Sequence, residues 1–419
     1  MSVKTAGLPS WTTQDEFDEI ESFMKSSKLF AKASPEDFFD PDWHRAHEIR
    51  TSSQAAALLQ RRAESSLAAD FLDGLADAPM ATQLTPTLLA CFNWDDLRSC
   101  PVRRQFMFLR SEIIQSHASA SFDSLGELED SPVPGLVHRY SDRVLLLATK
   151  TCPIYCGFCT RSYAVGPNTG AKSTIESPPR TRNFLSDALD YVSGDRGIRD
   201  VIISGGDIVN MHPDNLNFVL DRLLTTSHVR SVRLATRGLL GSPLQFAPDT
   251  PMHGIIVEGA KRAKSAGVEL SLQVHFNCAA EINPIAKTVI RNILSECAIT
   301  VRNQAVCMRG VNDSTTEVHS LIAGLVDIGI SPYYVYQHDM VPGAEHLRTT
   351  IGETCLLEKK SRGFVAGFQF PRFVVDLPNG GGKRDVHSYD TYDESSGVAK
   401  YRSWATGTER SYVYHDPLR

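Results

Sequence analysis

Three cysteines, Cys152, Cys156 and Cys159, stand in TKTCPIYCGFCTR with C-x3-C-x2-C spacing. They follow directly on an apolar run, Val144 to Ala148, that reads as a β-strand. Thiolates this close on one loop can wrap a single iron–sulfur cluster, since cysteine sulfur is the standard ligand of cubane iron. A fully cysteine-ligated [4Fe-4S] cube takes four such ligands, and the loop offers three. One iron is thereby left open to bind and cleave something. Zinc is the competing reading, but zinc loops come as two C-x2-C pairs or with a nearby histidine, and no second pair exists here. A disulfide suits three thiols in one short loop less well still.

Further groups with chemical potential are spread along the chain. SGGD (Ser204, Gly205, Gly206, Asp207) ends an apolar run, and two glycines there let backbone approach a ligand and offer amides to its charged groups. DLPNGGGK places Lys383 behind three consecutive glycines. Arg384 follows, so the phosphate-loop pattern fails. A lysine on a glycine arm suits Schiff-base chemistry with pyridoxal phosphate, although a glycine turn with a surface lysine reads equally well. Arg139 and Arg143 in HRYSDR are four apart and can clamp one phosphate dianion. Asp339 (YYVYQHD) and Asp376 (FVVDLP) each end a strand-like run, so both should face one mouth. Two carboxylates in one pocket repel unless a cation sits between them, which argues for a cationic ligand.

The cysteine spacing is the signature of radical S-adenosylmethionine (SAM) enzymes. The flanking phrases HRYSDRVLLL and CTR, with LTPTLLACF (84–92), CPVRRQFMFLRSEI (100–113) and SPVPGLVHRY (131–140), resemble the lysine 2,3-aminomutase family over roughly residues 84 to 415. The resemblance implies that Arg161, two residues past the last cysteine, holds the substrate carboxylate. It departs from the family locally, because the usual basic run becomes Ser162-Tyr163-Ala164. It implies that Ser204 to Asp207 lie where the methionine amino group of SAM is held, and that His275, Asn277 and Gln304 are further SAM-side positions. Alone, those last three read as core polar residues. It implies that Lys383 is the pyridoxal lysine, with Asn379 in place of the family's first glycine, and that Arg139, Tyr140 and Arg143 contact pyridoxal phosphate. Asp339 and Asp376 match the positions that hold the distal ammonium of lysine. The clustered C-terminal cysteines that bind structural zinc in the clostridial-type enzymes find no match, and Ser314 stands where a further cysteine would be. No structural zinc is therefore expected.

These groups need a frame. The 419 residues are 42% hydrophobic, enough for one large core. A net charge of −6 gives no basic surface for nucleic acid, and no apolar run nears the roughly 20 residues that span a bilayer. The N-terminus is polar and acidic, unlike a signal peptide, and nine cysteines without a framework pattern fit a reducing cytoplasm. Residues 1–100 read as a helical region, with a cap at Ser34 and a helix across 53–72; 101–143 read as a linker leading into the pyridoxal phosphate site. Within it Pro132, Pro134 and Gly135 predict an extended turn rather than an element. From Val144 short β-branched runs (144–149, 200–205, 231–236, 269–276, 299–306, 333–337) alternate with amphipathic segments (184–193, 213–225, 255–267, 284–296, 316–329). This predicts an α/β fold, a partial (β/α)6 barrel over 144–390 with a closing strand at 372–376. Functional residues then gather at strand C-terminal ends. The tail, 391–419, is a short polar extension with no assigned chemistry.

The reading is a SAM- and pyridoxal-phosphate-dependent 2,3-aminomutase for a basic amino acid, lysine before arginine. It would be reduced by a flavodoxin- or ferredoxin-like partner and form a homo-oligomer. The alternative from another class is a non-catalytic iron–sulfur carrier or sensor, which would need neither Lys383 nor the arginine and aspartate pairs.

Overall fold

The computed structural model describes residues 8–173, 181–405 and 407–417. Its N-terminal part is helical: α1 (Gln14–Ser26), α2 (Pro41–Ala46), α3 (Ser52–Arg62), α4 (Ser65–Gly74), α5 (Pro86–Ala90) and α6 (Pro101–Arg104). Ser34 caps a 3-10 turn, Pro35–Phe39, with Asp37 bonding back to it, and Asp40 caps α2. The single helix expected across 53–72 is two. Ala63 turns extended after α3, so that Ala55, Ala56 and Leu59 of α3 and Leu67, Ala68 and Phe71 of α4 can all be buried.

The barrel follows. Strands β1 (Leu136–Tyr140), β2 (Arg143–Thr149), β3 (Asp200–Gly205), β4 (Ser231–Thr236), β5 (Glu269–Val274), β6 (Thr300–Cys307), β7 (Ser331–Gln337), β8 (Arg372–Leu377) and β9 (Gly382–Asp385) lie side by side in chain order. The run from β2 to β8 is parallel, and β1 and β9 add antiparallel edges. Among the described residues no hydrogen-bonded ladder joins β1 to β9, so the barrel is open, as the alternating pattern predicts. Helices α7 (Arg182–Gly194), α8 (Pro213–Thr225), α9 (Gly238–Gly241), α10 (Pro251–Ser265), α11 (Pro284–Glu296), α12 (Thr315–Asp327) and α13 (Ile351–Ser361) run between the strands. Gly267 and Gly329, just past α10 and α12, take φ of +68° and +76°, the left-handed turn that stops a helix. In β6 the residues alternate: Val301, Asn303, Ala305 and Cys307 are buried, while Gln304 and Val306 face the barrel cavity.

One expectation is corrected. Residues 136–140 are a strand, not part of a turn: Leu136 and Val137 pair with Leu146 and Leu145, and burying both apolar side chains outweighs the upstream prolines. The described part of the tail carries strands that the sequence reading did not assign. β10 (Thr391–Asp393), β11 (Val398–Ser403) and β12 (Arg410–His415) form an antiparallel sheet that buries Tyr401 and Tyr414. Alternation in VAKYRS and RSYVYH is the signal that the polar composition hides.

Candidate active site

The strand ends open into one cavity of about 330 Å³. Cys152, Cys156 and Cys159 line it from the loop after β2, and Arg161 stands beside them. The three thiols are half-buried, and burial raises their proton affinity; for Cys159 it pushes the pKa up to about 11. Binding a cluster there must displace those protons, so loading is favoured as pH rises. Three sulfurs on the wall of one cavity are the donor set that a cluster with one open iron takes.

Ser204, Gly205 and Gly206 line the same cavity at the end of β3, but the glycines also make room for protein. A Cβ on Gly205 would meet Thr149 O at 2.4 Å, and one on Gly206 would meet Thr151 O at 2.3 Å. The SGGD turn and the cysteine loop thus press backbone to backbone. Asp207 is fully engaged: Oδ1 accepts from Val209 N (3.0 Å) and Thr236 Oγ1 (2.6 Å), and Oδ2 from Arg237 N (2.6 Å).

His275 lines the cavity and Asn277 does not. Asn277 is fully buried, with Oδ1 accepting from Val306 N (2.8 Å) and Nδ2 donating to Gln105 Oε1 (2.8 Å). That orientation makes His275 Nε2, 3.0 Å from Asn277 Oδ1, the protonated nitrogen and leaves Nδ1 an acceptor. Burial, then the Arg237 charge, depress the His275 pKa and keep the ring neutral. Gln304 joins a ladder across the barrel: Tyr336 Oη donates to its Oε1 (2.8 Å), and its Nε2 donates to Gln273 Oε1 (3.1 Å).

Asp339, Asp376 and Lys383 line the same cavity. Asp376 and Lys383 are cross-strand partners in the β8–β9 hairpin, and Lys383 Nζ lies 2.7 Å from Asp376 Oδ2. The ammonium is also 5.5 Å from the centre of the Tyr336 ring. The glycine run makes a tight hairpin rather than a loose arm. Asn379 has φ +54°, which asparagine tolerates, so it can replace a glycine there. A Cβ on Gly381 would lie 2.5 Å from Leu377 Cβ, and one on Gly382 would lie 2.7 Å from Tyr140 Oη. Tyr140 Oη accepts from Lys383 N (2.9 Å).

The charges here are unequal. Burial would raise Asp376, but Lys383 and Arg139 pull it below the usual carboxylate range. Burial, then the Asp376 charge, push Asp339 up to about 8. Asp376 Oδ1 is buried with no hydrogen-bond partner, which marks room for one more donor. Arg139 and Arg143 line the cavity, engaged respectively with Asp130 (2.7 Å) and Asp142 (2.8 Å). The Arg143 guanidinium lies 4.5 Å over the Tyr140 ring. These cations on a short hairpin beside Lys383 fit a phosphate-bearing ring cofactor.

Reading the sequence alone missed several neighbours. Glu127 grips Arg161 through two bonds, Nη2 to Oε1 (2.8 Å) and Nε to Oε2 (3.1 Å), and Tyr163 Oη donates to the same carboxylate (2.9 Å). Arg237, Gln105, Glu281 and Tyr336 were also unmarked. None of them stands in a pattern of its own, and their partners lie far away in the chain.

No protein-family model matches the chain. It is 34% identical over 332 residues to an L-lysine 2,3-aminomutase of Fusobacterium nucleatum, covering 78% of this chain and 73% of that protein. It is 33% identical over 360 residues to the L-lysine 2,3-aminomutase of Acetoanaerobium sticklandii, covering 86% and 81%. A glutamate 2,3-aminomutase of Clostridioides difficile is 28% identical over 282 residues, 67% of this chain and 62% of that one. Among solved structures, a radical SAM methyltransferase from Sphaerobacter thermophilus aligns with 57% of this chain and 68% of its own, at 15% identity and a TM-score of 0.35. Relatives at that level of identity, spanning most of their own length, establish that the chain belongs to the lysine 2,3-aminomutase family and is an aminomutase, an isomerase.

Proposed function

We propose that this aminomutase moves the α-amino group of a basic L-amino acid, lysine first, to the β-carbon, using a [4Fe-4S] cluster, SAM and pyridoxal phosphate. The observation that carries the substrate reading is the carboxylate pair in one cavity, Asp339 and Asp376, with a buried Asp376 oxygen lacking a donor. When bound, the cluster and SAM supply a carbon radical able to take a hydrogen atom, and pyridoxal phosphate supplies a conjugated imine over which the unpaired electron spreads.

The residues supply position and charge. Cys152, Cys156 and Cys159 hold the cluster, and the Ser204–Gly206 turn, His275 and Gln304 border the SAM side. Arg139 and Arg143 take the cofactor phosphate, with Tyr140 against the ring. Glu127 occupies one edge of Arg161, leaving Nη1 toward a substrate carboxylate and fixing the plane of the guanidinium. At the far end Asp339 and Asp376 take the side-chain cation. That cation competes with Lys383 for Asp376, whose charge keeps Nζ protonated, with its pKa above the ordinary lysine value despite burial. Once the ion pair passes to substrate, Nζ sheds its proton more readily and is freed as a nucleophile.

A second reading, arginine, rests on His338. Its Nδ1 lies 2.6 Å from the Asp339 carbonyl, which can only accept, so Nδ1 carries the proton. Nε2 is then a buried lone pair without a partner at the cavity wall. A guanidinium has more N–H donors than an ammonium to share between it and the carboxylates.

The test is anaerobic turnover with a low-potential reductant, SAM and pyridoxal phosphate, offering lysine, arginine, ornithine and glutamate together. A β-amino acid from lysine or arginine is expected, and product from glutamate alone overturns the reading. Lys383→Ala should lose the visible absorbance of bound pyridoxal phosphate; retained absorbance removes Lys383 from its role.

A further inference from the structure

A buried polar network, with Arg237 on the cavity wall beside the cysteine loop, has no part in the reading above. Arg237, just past β4, is 7% exposed, and its Nη1 lies 2.7 Å from Cys156 Sγ. Its Nη2 donates to Gln105 Oε1 (2.7 Å) and Glu281 Oε1 (3.0 Å). The guanidinium is sandwiched between aromatic rings, 4.7 Å from the centre of Phe106 and 5.4 Å from that of Phe158. Glu281 is fully buried and held twice more, by Gln105 Nε2 and by Asn277 N (2.7 Å). Gln105 also reaches the loop directly, its backbone oxygen accepting from Gly157 N (2.8 Å).

This is a rigid mount. A buried guanidinium needs partners for its donors; here Nη1 and Nη2 are matched, one of them to a ligand sulfur, while Nε is buried without a partner. Cys152 and Cys159 instead pack against Met80, Tyr155 and Val165. Of the three sulfurs, the hydrogen bond from this cation goes to that of Cys156.

We propose that Arg237 is a positioning residue that raises the reduction potential of the cluster on Cys152, Cys156 and Cys159, with Glu281 opposing it and Gln105 fixing both. The inference rests on the cluster reading of the previous section. In the step concerned, one electron leaves a low-potential protein donor such as a flavodoxin or ferredoxin and enters the cluster; no bond breaks and no proton moves. The cluster becomes more negative, and an N–H···S bond from a cation stabilises that state over the oxidised one. The nearby Glu281 charge acts in the opposite sense at longer range.

The experiment is a dithionite titration of reconstituted full-length protein without SAM, followed by electron paramagnetic resonance, with iron and sulfide measured for each variant. Arg237→Gln should keep its iron yet hold on the order of tenfold less reduced cluster at a fixed solution potential. Arg237→Lys should recover part of that loss, and Glu281→Gln should shift the balance toward the reduced form. Parental reduction in both Arg237→Gln and Glu281→Gln overturns the proposal. So does loss of iron from Arg237→Gln together with parental behaviour of Arg237→Lys and Glu281→Gln. A parent protein that takes up no iron overturns the cluster reading itself.

Discussion

Asp339 is the residue whose ionisation answers most directly to its surroundings. Burial and the Asp376 charge lift it to about 8, so the folded protein keeps a proton there that the unfolded chain releases near pH 4. The folded state therefore binds more protons between those values, and this residue makes stability fall as pH rises from about 4 to 8. Asp339→Asn removes the dependence: cofactor-free variant and parent should match near pH 4, with the variant gaining in denaturant midpoint toward pH 8. A constant difference across that range would show that Asp339 does not titrate there. In the loaded enzyme kcat/KM for lysine should climb with pH up to about 8, as the carboxylate ionises to meet the ammonium. Asp339→Asn should cost about 3 kcal/mol, roughly a hundredfold in kcat/KM, because the cation would lose half of a buried carboxylate pair.

At the scale of elements, the junction between β3 and the cysteine loop decides whether the loop can form. Gly206→Ala sets a methyl group against Thr151 backbone, which cannot rotate away. The variant should keep the circular dichroism of the parent and bind several-fold less iron on reconstitution. Gly157 poses a softer version of the same test. Its missing Cβ would lie 2.3 Å from the tip of the Phe108 ring, a side chain from the segment after α6. Gly157→Ala should also lose iron, and Phe108→Leu in the same chain should restore part of it by withdrawing the ring edge. No recovery would mean that the loop fails for another reason.

Across the whole molecule, the barrel is braced from both ends of the described chain. The segment from α6 onward delivers Gln105 and Phe108 to the cysteine loop, and the C-terminal sheet packs on the barrel through β12. Tyr414 Oη donates to His338 O (2.7 Å) and accepts from Gln337 Nε2 (3.0 Å), pinning the strand end that carries Asp339. Tyr414→Phe removes two buried hydrogen bonds, although Gln337 Nε2 keeps Thr349 O (2.6 Å), and should lower stability by about 1–3 kcal/mol, read in a denaturant titration. It should also raise KM for the basic substrate more than it lowers kcat, since the carboxylate loses its fixed position. An unchanged KM would confine Tyr414 to the fold. Among the described residues no helix is long and apolar enough to cross a membrane.

Much of this was written locally. The cysteine spacing, the period switch from Val144 onward and the glycine stops after α10 and α12 depend on neighbours in the chain, and such signals survive in one dimension. So did the presence of Asp339 and Asp376 at strand ends, because strand periodicity dictates which side a terminal residue faces; that Lys383 sits on a strand of its own was not legible. What the sequence could not disclose is pairing at a distance: Glu127 with Arg161, Arg237 with Cys156, and Tyr414 with His338 join residues 34, 81 and 76 positions apart. The same holds for the purpose of the glycines. Composition suggested freedom, whereas Gly206 and Gly381 are places where packed neighbours leave no volume for a side chain. Local propensity depends on adjacent residues, while charge balance and excluded volume depend on whatever the closed barrel brings within a few ångströms, and only the tertiary structure decides that.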